Sequence, residues 1–235
     1  MGKVKQKVKN SVNNAMVSIR KWTKRILGIG LLFGFTYLVG TFYPNNYILH
    51  KYEKTFENKY LDKLKELDLR EPAFEFENNM QFVRAVHKCI DYINFTTPSS
   101  KRVPYEMVTA QAVLESAWGQ SRFAVKGHNL FGIRVFDTTQ SHMLPEGMTN
   151  WPGWGVRVFK TKCDSVKEYI RLMNEHPAYE RFRELRLKQL SLYGKMDPIE
   201  LVKTLDKFST TPDYPERVIK IIHKIRKLEE SDETK

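Results

Sequence analysis

The chain has 235 residues, which admits one sizeable domain with appendages. Its net charge of +12 is unevenly spread: the first 25 residues hold eight Lys or Arg (Lys3, Lys5, Lys7, Lys9, Arg20, Lys21, Lys24, Arg25) and no acid, leaving about +4 for the other 210. That remainder suits an anionic partner without demanding one, so charge makes no case for nucleic acid.

The basic arm, residues 1–25, runs into ILGIGLLFGFTYLVGTFY at 26–43, an uncharged run of eighteen residues. As a helix rising 1.5 Å per residue it spans about 27 Å, close to the ~30 Å hydrocarbon core of a bilayer. Gly28, Gly30, Gly34 and Gly40 are at home in a membrane helix, and Trp22, Tyr37 and Tyr43 supply aromatics suited to its interfaces. The run reads as one transmembrane helix. Cations before it and Glu53 and Glu57 after it place the N-terminus in the cytoplasm and the rest outside, a single pass of the cytoplasmic (inner) membrane. No small-x-small cleavage site follows, so an uncleaved signal anchor is expected.

From Lys51 to Arg70, Tyr52, Phe56, Tyr60, Leu61, Leu64 and Leu67 recur at helical spacing among charges. The segment 44–76 is therefore a linker built on an amphipathic stalk or docking helix. Pro72 ends it. A second helix is predicted from about Glu77 to Asn94, with Phe82, Val83, Val86, Cys89, Ile90 and Ile93 inward. Pro104 suits the first position of a helix ending near Gly119. Two Arg-Val-Phe triplets, 134–136 and 157–159, flank a Pro/Gly/Trp-rich insertion and predict paired short strands. Helical periodicity returns after Asp164 and continues to a charged tail at 229–235. The expected fold is mainly α (α+β), a helical domain at 77–228 with a small β-hairpin lobe. Cys89 and Cys163 lack metal-site spacing; one disulfide or two buried thiols both fit an oxidising compartment.

Within the Pro104 helix, setting Met107 at zero and stepping 100° per residue puts Ala110, Val113, Leu114, Ala117 and Trp118 on one broad face. Glu115 falls at about 80°, beside Gln111 at about 40°, on the border of that stripe. A carboxyl there is half-shielded, and desolvation raises its pKa toward a value useful for giving up a proton near neutral pH. A glycosidase general acid needs this property. A solvated glutamate on an ordinary helix is the alternative.

The string AQAVLESAWGQSRFA, followed by HNLFGIR, resembles the core motif of the bacterial N-acetylglucosaminidase family that cleaves peptidoglycan, with its flagellar, autolysin and Bax-type members. FKTKCDSVKEYIRLMNEHPAY and FSTTPDYPERVIKII are similar to later motifs of the same family, in the same order. The resemblance covers about 77–228. It implies a lysozyme-like fold, an α lobe and a small β lobe with a groove between them for a glycan strand. It implies that Glu115 is the catalytic acid and that Tyr179, in HPAY, is an active-site tyrosine that positions water or stabilises developing positive charge. Tyr214 stands in the closing motif and joins the expected substrate-binding set.

A second carboxylate is expected from the β lobe, where Glu146 and Asp137 stand between the triplets. Glu146 is preferred, because Asp137 directly follows a strand and reads as a turn residue. Inverting, retaining and substrate-assisted mechanisms all stay open. Sugar rings stack on aromatics and their hydroxyls need orienting bonds. Gln111, Trp118, Asn129, Phe131, Gly132, Trp151 and Trp154 are therefore the remaining expected groove residues. The six histidines are scattered, and no HExxH, GxSxG or phosphate loop occurs, so no metal and no cofactor are expected. The expected partners are peptidoglycan strands and the membrane, without nucleic acid, since the basic arm adjoins the apolar span. The expected activity is hydrolysis of the β-1,4 bond on the N-acetylglucosamine side. A muramidase, a lytic transglycosylase and a non-catalytic glycan-binding scaffold are the alternatives.

Overall fold

The computed structural model describes the backbone of residues 2–42, 46–67 and 69–233, and it divides into two units, 1–55 and 56–235. In the first unit, α1 runs from Gly2 to Phe42 as a single helix, and the apolar side chains described from Ile26 to Leu38 are exposed. Among the described residues no helix is long and apolar enough to cross a membrane. The described side chains of the expected span stop at Leu38, so 39–43, Tyr43 included, lie outside them. The transmembrane helix at 26–43 is thus a reading of the sequence that the structure does not support.

Helix α2 spans Asn46–Glu66 and so stops four residues short of the expected end. Its second half docks: the Tyr60 ring meets Phe95 edge-on at 5.7 Å and Phe56 at 4.3 Å. Helix α3 spans Asn79–Asn94. Its start is written in the sequence, for Asn78 accepts the Gln81 N–H while the Gln81 side chain accepts the Glu77 N–H. The six inward residues expected of it are all buried.

Helix α4, Tyr105–Ser116, is the central rod, with Pro104 as its N-cap rather than its first residue. Met107, Val108, Ala110, Gln111, Ala112 and Val113 are all buried, so α4 is enclosed on every side by neighbours that include α3 and α9, Tyr214–Glu233. A two-faced helix was the sequence expectation. Enclosure changes what places Glu115: it is half-buried because it occupies the last turn of a core helix, where the rod emerges.

The rod ends abruptly. Ala117, Trp118 and Gly119 all take positive φ, 50°, 60° and 77°, and Ser116 bridges the turn by donating to Ala112 O and accepting from Gly119 N–H. Only Gly119 fits at its place, since a Cβ there would stand 2.7 Å from Phe82 and 2.8 Å from Phe76. The reversal feeds α5, Arg122–Lys126, and a loop that returns to the end of α4.

Three short strands follow: β1 Arg134–Val135, β2 His142–Met143 and β3 Gly155–Arg157, antiparallel in the order β1-β3-β2. Arg134 pairs with Val156 and Val135 with Gly155, so the first triplet pairs with the residues just before the second, and Arg157 of the second pairs with His142 of β2 instead, a correction to the expected pairing of the two triplets. The strand at His142 and Met143 is an addition to the expected pair. Helices α6 (Lys162–Glu175), α7 (Glu180–Tyr193), α8 (Pro198–Val202) and α9 complete the body. Cys89 on α3 and Cys163 on α6 form a disulfide, with Cα atoms 5.2 Å apart.

Candidate active site

A cleft of about 1500 Å³ lies beside the end of α4, walled by the β lobe, by α6 with the turn after it, and by the segment leading into α9. Glu115 lines it. Burial pushes the Glu115 carboxyl above its ordinary range, opposed by the hydrogen bond from the Tyr214 hydroxyl and by the Arg217 charge. Desolvation prevails, so the group is biased toward holding its proton.

Behind the acid sits a packed aromatic and amide layer. Phe131 stacks on Tyr169 with centroids 4.3 Å apart, and Phe208 stacks on Tyr214 at 5.2 Å. Gln111 Nε2 donates to the Tyr214 hydroxyl oxygen at 3.0 Å, and the Tyr169 hydroxyl donates to Gln111 Oε1. Tyr179 closes this wall, its ring 6.1 Å from Phe208, and burial raises its pKa, so it remains a neutral phenol.

The loop from Gly127 to Ile133 brings a glycine to the acid. Asn129 organises it: Nδ2 donates to Ile133 O and Arg157 O, each at 2.9 Å, and Oδ1 accepts from the N–H groups of Phe131 and Ile133. These four bonds use the whole amide, which is buried. Gly132 takes φ of 63°, and a Cβ there would touch Glu115 Oε2 at 4.0 Å.

Of the sequence-expected residues, Glu115, Phe131, Gly132, Tyr179 and Tyr214 line one cleft. The others do not. Gln111 lies wholly buried behind Tyr214. Asn129 is spent on its own loop. Trp118, thrown off the helical frame by the left-handed turn, packs on Phe82 at 6.1 Å under the Lys224 ammonium. Trp151 packs on His142 and Trp154 under the Arg134 guanidinium, which fold the insertion onto itself. Glu146, the preferred second carboxylate, is exposed on that insertion and is not among the residues that line the cleft.

Asp137 lines the cleft instead. It is the turn residue expected, its carboxylate accepting from the Thr139 hydroxyl at 2.6 Å and the Thr139 N–H at 2.9 Å, and those bonds hold its pKa down. Glu168, also on the cleft, is held down by Arg171 and Arg157. Sequence reasoning passed over Arg134 and Phe136, which line the cleft with Phe136 75 % exposed. Strand alternation carried the signal: Val135 turns inward, so its neighbours on either side turn outward. Among the described residues, no group of three or more His, Cys, Asp or Glu is gathered for a metal.

A carboxyl biased toward its protonated form thus stands at the edge of an open cleft between a helical body and a small sheet. Residues 97–227, more than half of the chain, match the Glucosaminidase family, described as mannosyl-glycoprotein endo-beta-N-acetylglucosaminidase, and the chain belongs to that family. It is 31 % identical to protein Bax of Escherichia coli over 110 residues, 46 % of this chain and 37 % of that protein. It is 26 % identical to the exo-glucosaminidase LytG of Bacillus subtilis over 129 residues, 53 % of this chain and 44 % of that one. The chain thus spans less than half the length of these relatives. The glycoside hydrolase domain of Salmonella typhimurium FlgJ superposes with a TM-score of 0.47 at 17 % identity, over 67 % of this chain and 94 % of that domain.

Proposed function

We propose that the chain hydrolyses the glycan strand of peptidoglycan at the β-1,4 bond on the N-acetylglucosamine side, with Glu115 as general acid. The observation that carries this is the raised, half-buried carboxyl of Glu115 opening on the cleft. Family membership supports the substrate class, as do the relatives' names: LytG is an exo-glucosaminidase and FlgJ of Vibrio parahaemolyticus a peptidoglycan hydrolase.

In the reaction, Glu115 gives its proton to the bridging oxygen as the bond to the sugar's anomeric carbon breaks. Water completes the hydrolysis at that carbon, and Glu115 is reprotonated from solvent. Asp137, on the β-lobe side and held ionised by Thr139, is the carboxylate suited to accept the water's proton or to face the developing positive charge. Tyr179 presents a neutral phenol to the same cleft.

The proposal includes anchoring in the cytoplasmic membrane, which rests on the uncharged run 26–43 and the eight preceding cations. With the anchor goes an extracytoplasmic domain, a placement that the Cys89–Cys163 disulfide supports.

The test is digestion of purified sacculi by the wild type and by Glu115→Gln, with product analysis. Loss of clearing in the variant and N-acetylglucosamine at the new reducing end are expected. Undiminished clearing by Glu115→Gln removes the acid assignment, 1,6-anhydromuramic acid marks a lytic transglycosylase, and sacculus binding without any clearing by the wild type marks a scaffold.

A further inference from the structure

Between Glu115 and the core runs a line of polar groups that the mechanism above does not use. Gln111 stands one helical turn before Glu115 on α4, with no surface exposed. Its amide has two partners, the Tyr169 hydroxyl at Oε1 and the Tyr214 hydroxyl oxygen at Nε2. Tyr169 is 1 % exposed and Tyr214 3 %, so water offers neither phenol a substitute partner.

The directions of these bonds follow from what each group can do. Burial pushes both phenols well above the ordinary tyrosine range, so both stay protonated. Tyr169 must place its proton on an acceptor, and the Gln111 carbonyl is the one beside it. This fixes the amide, whose N–H then faces the Tyr214 oxygen. Swapping the two ends would set an amide donor against the Tyr169 donor in a buried place, which is costly. With an N–H aimed at its oxygen, Tyr214 has its own O–H left for Glu115.

We infer that Gln111 and Tyr169 are positioning residues for the acid: together they hold Tyr214 as a one-way donor to Glu115, which confines the transferable proton to the other carboxyl oxygen. This rests on the reading of Glu115 as general acid. The titratable and charged groups bearing on Glu115 are Tyr214 and Arg217 from α9 and Tyr169 from α6. Arg134 and Asp137 from the β lobe, and the Glu168–Arg171 pair of α6, lie along the same cleft.

The test is the alkaline limb of activity against pH on sacculi, which reports loss of the Glu115 proton. A hydrogen bond donated to a carboxylate favours the ionised form and holds its pKa down. Tyr214→Phe therefore moves the limb up, by about one pH unit for one bond to a charged group. Gln111→Met lets the Tyr214 O–H swing inward, and Tyr169→Phe frees the amide to turn over. Each is expected to move the limb up, no further than Tyr214→Phe, and to add nothing in combination with Tyr214→Phe.

Circular dichroism screens the variants for folding, and Tyr169→Phe, which keeps the ring on Phe131, serves if Gln111→Met does not fold. A limb left at the wild-type pH in the folded variants overturns the inference. So does a shift that adds to that of Tyr214→Phe. Glu115→Gln separates this from the parent reading: if that variant stays active, the acid assignment fails, and if it is inactive while the limbs stay put, only the relay fails.

Discussion

Gly119→Ala tests whether the reversal after α4 admits only glycine at this place. The new methyl meets two separate costs. At φ of 77° an alanine adopts the left-handed region, at roughly 1–2 kcal/mol. Its carbon would also stand 2.7 Å from Phe82 and 2.8 Å from Phe76, rings of the core, and relieving such overpacking costs about 1–3 kcal/mol. A total near 3 kcal/mol lowers the melting temperature by roughly 6–12 °C in a domain of this size. The chain supplies its own control in Gly147, which has the same φ of 77° and nothing within 4 Å of an added Cβ. Gly147→Ala should therefore show the conformational cost alone, about 1–2 kcal/mol. Thermal unfolding followed by circular dichroism reads both. Equal melting temperatures in the two variants would refute the reasoning, because the difference between them is the clash.

Phe136→Ala should raise KM on glycan strands roughly two- to tenfold, the range of a single aromatic contact, and leave the melting temperature unchanged because the ring is 75 % exposed. Replacing Cys89 and Cys163 by serine releases a loop with a sequence separation of 74, worth about 4 kcal/mol on the chain-entropy account, and the wild type in reductant should melt at the variant's temperature. Glu115→Gln should be the more stable protein at pH 8 and gain nothing at pH 3. The sign follows from the raised pKa: folding disfavours the ionised carboxyl, so the wild type is destabilised above its folded pKa and relieved as the group protonates below the unfolded value. Melting temperatures of both proteins across that range check it.

The helices were legible because their signals are local. The spacing of Phe82, Val86, Cys89 and Ile93 marks the buried face of α3, whose start falls two residues after the expected Glu77. What the periodicity of α4 could not report was enclosure: its apolar stripe describes one buried side, whereas α9 and other neighbours bury the rest. The triplets mark strand residues, Arg134 and Val135 in β1 and Arg157 in β3, but not their partners: Arg134 pairs with Val156, and Arg157 with His142 of a strand the sequence reading did not include. At the site, a motif string identifies which residues are brought near each other without saying which of them face the cleft. Asn129 and Gln111 read as sugar-binding amides, and the structure spends both on internal bonds. Trp118 follows the end of the helix by two residues, so one left-handed turn moved it off the predicted face.

The covalent tie between α3 and α6 closes a ring that takes in Glu115 and the whole β lobe. The exposed stretch from Phe136 to Gln140 and from Glu146 to Asn150 lies inside that ring and is the natural place for a protease to nick. A backbone cut there opens the circle without parting the chain. The severed halves travel as one species on a non-reducing gel and separate as two once thiol is added.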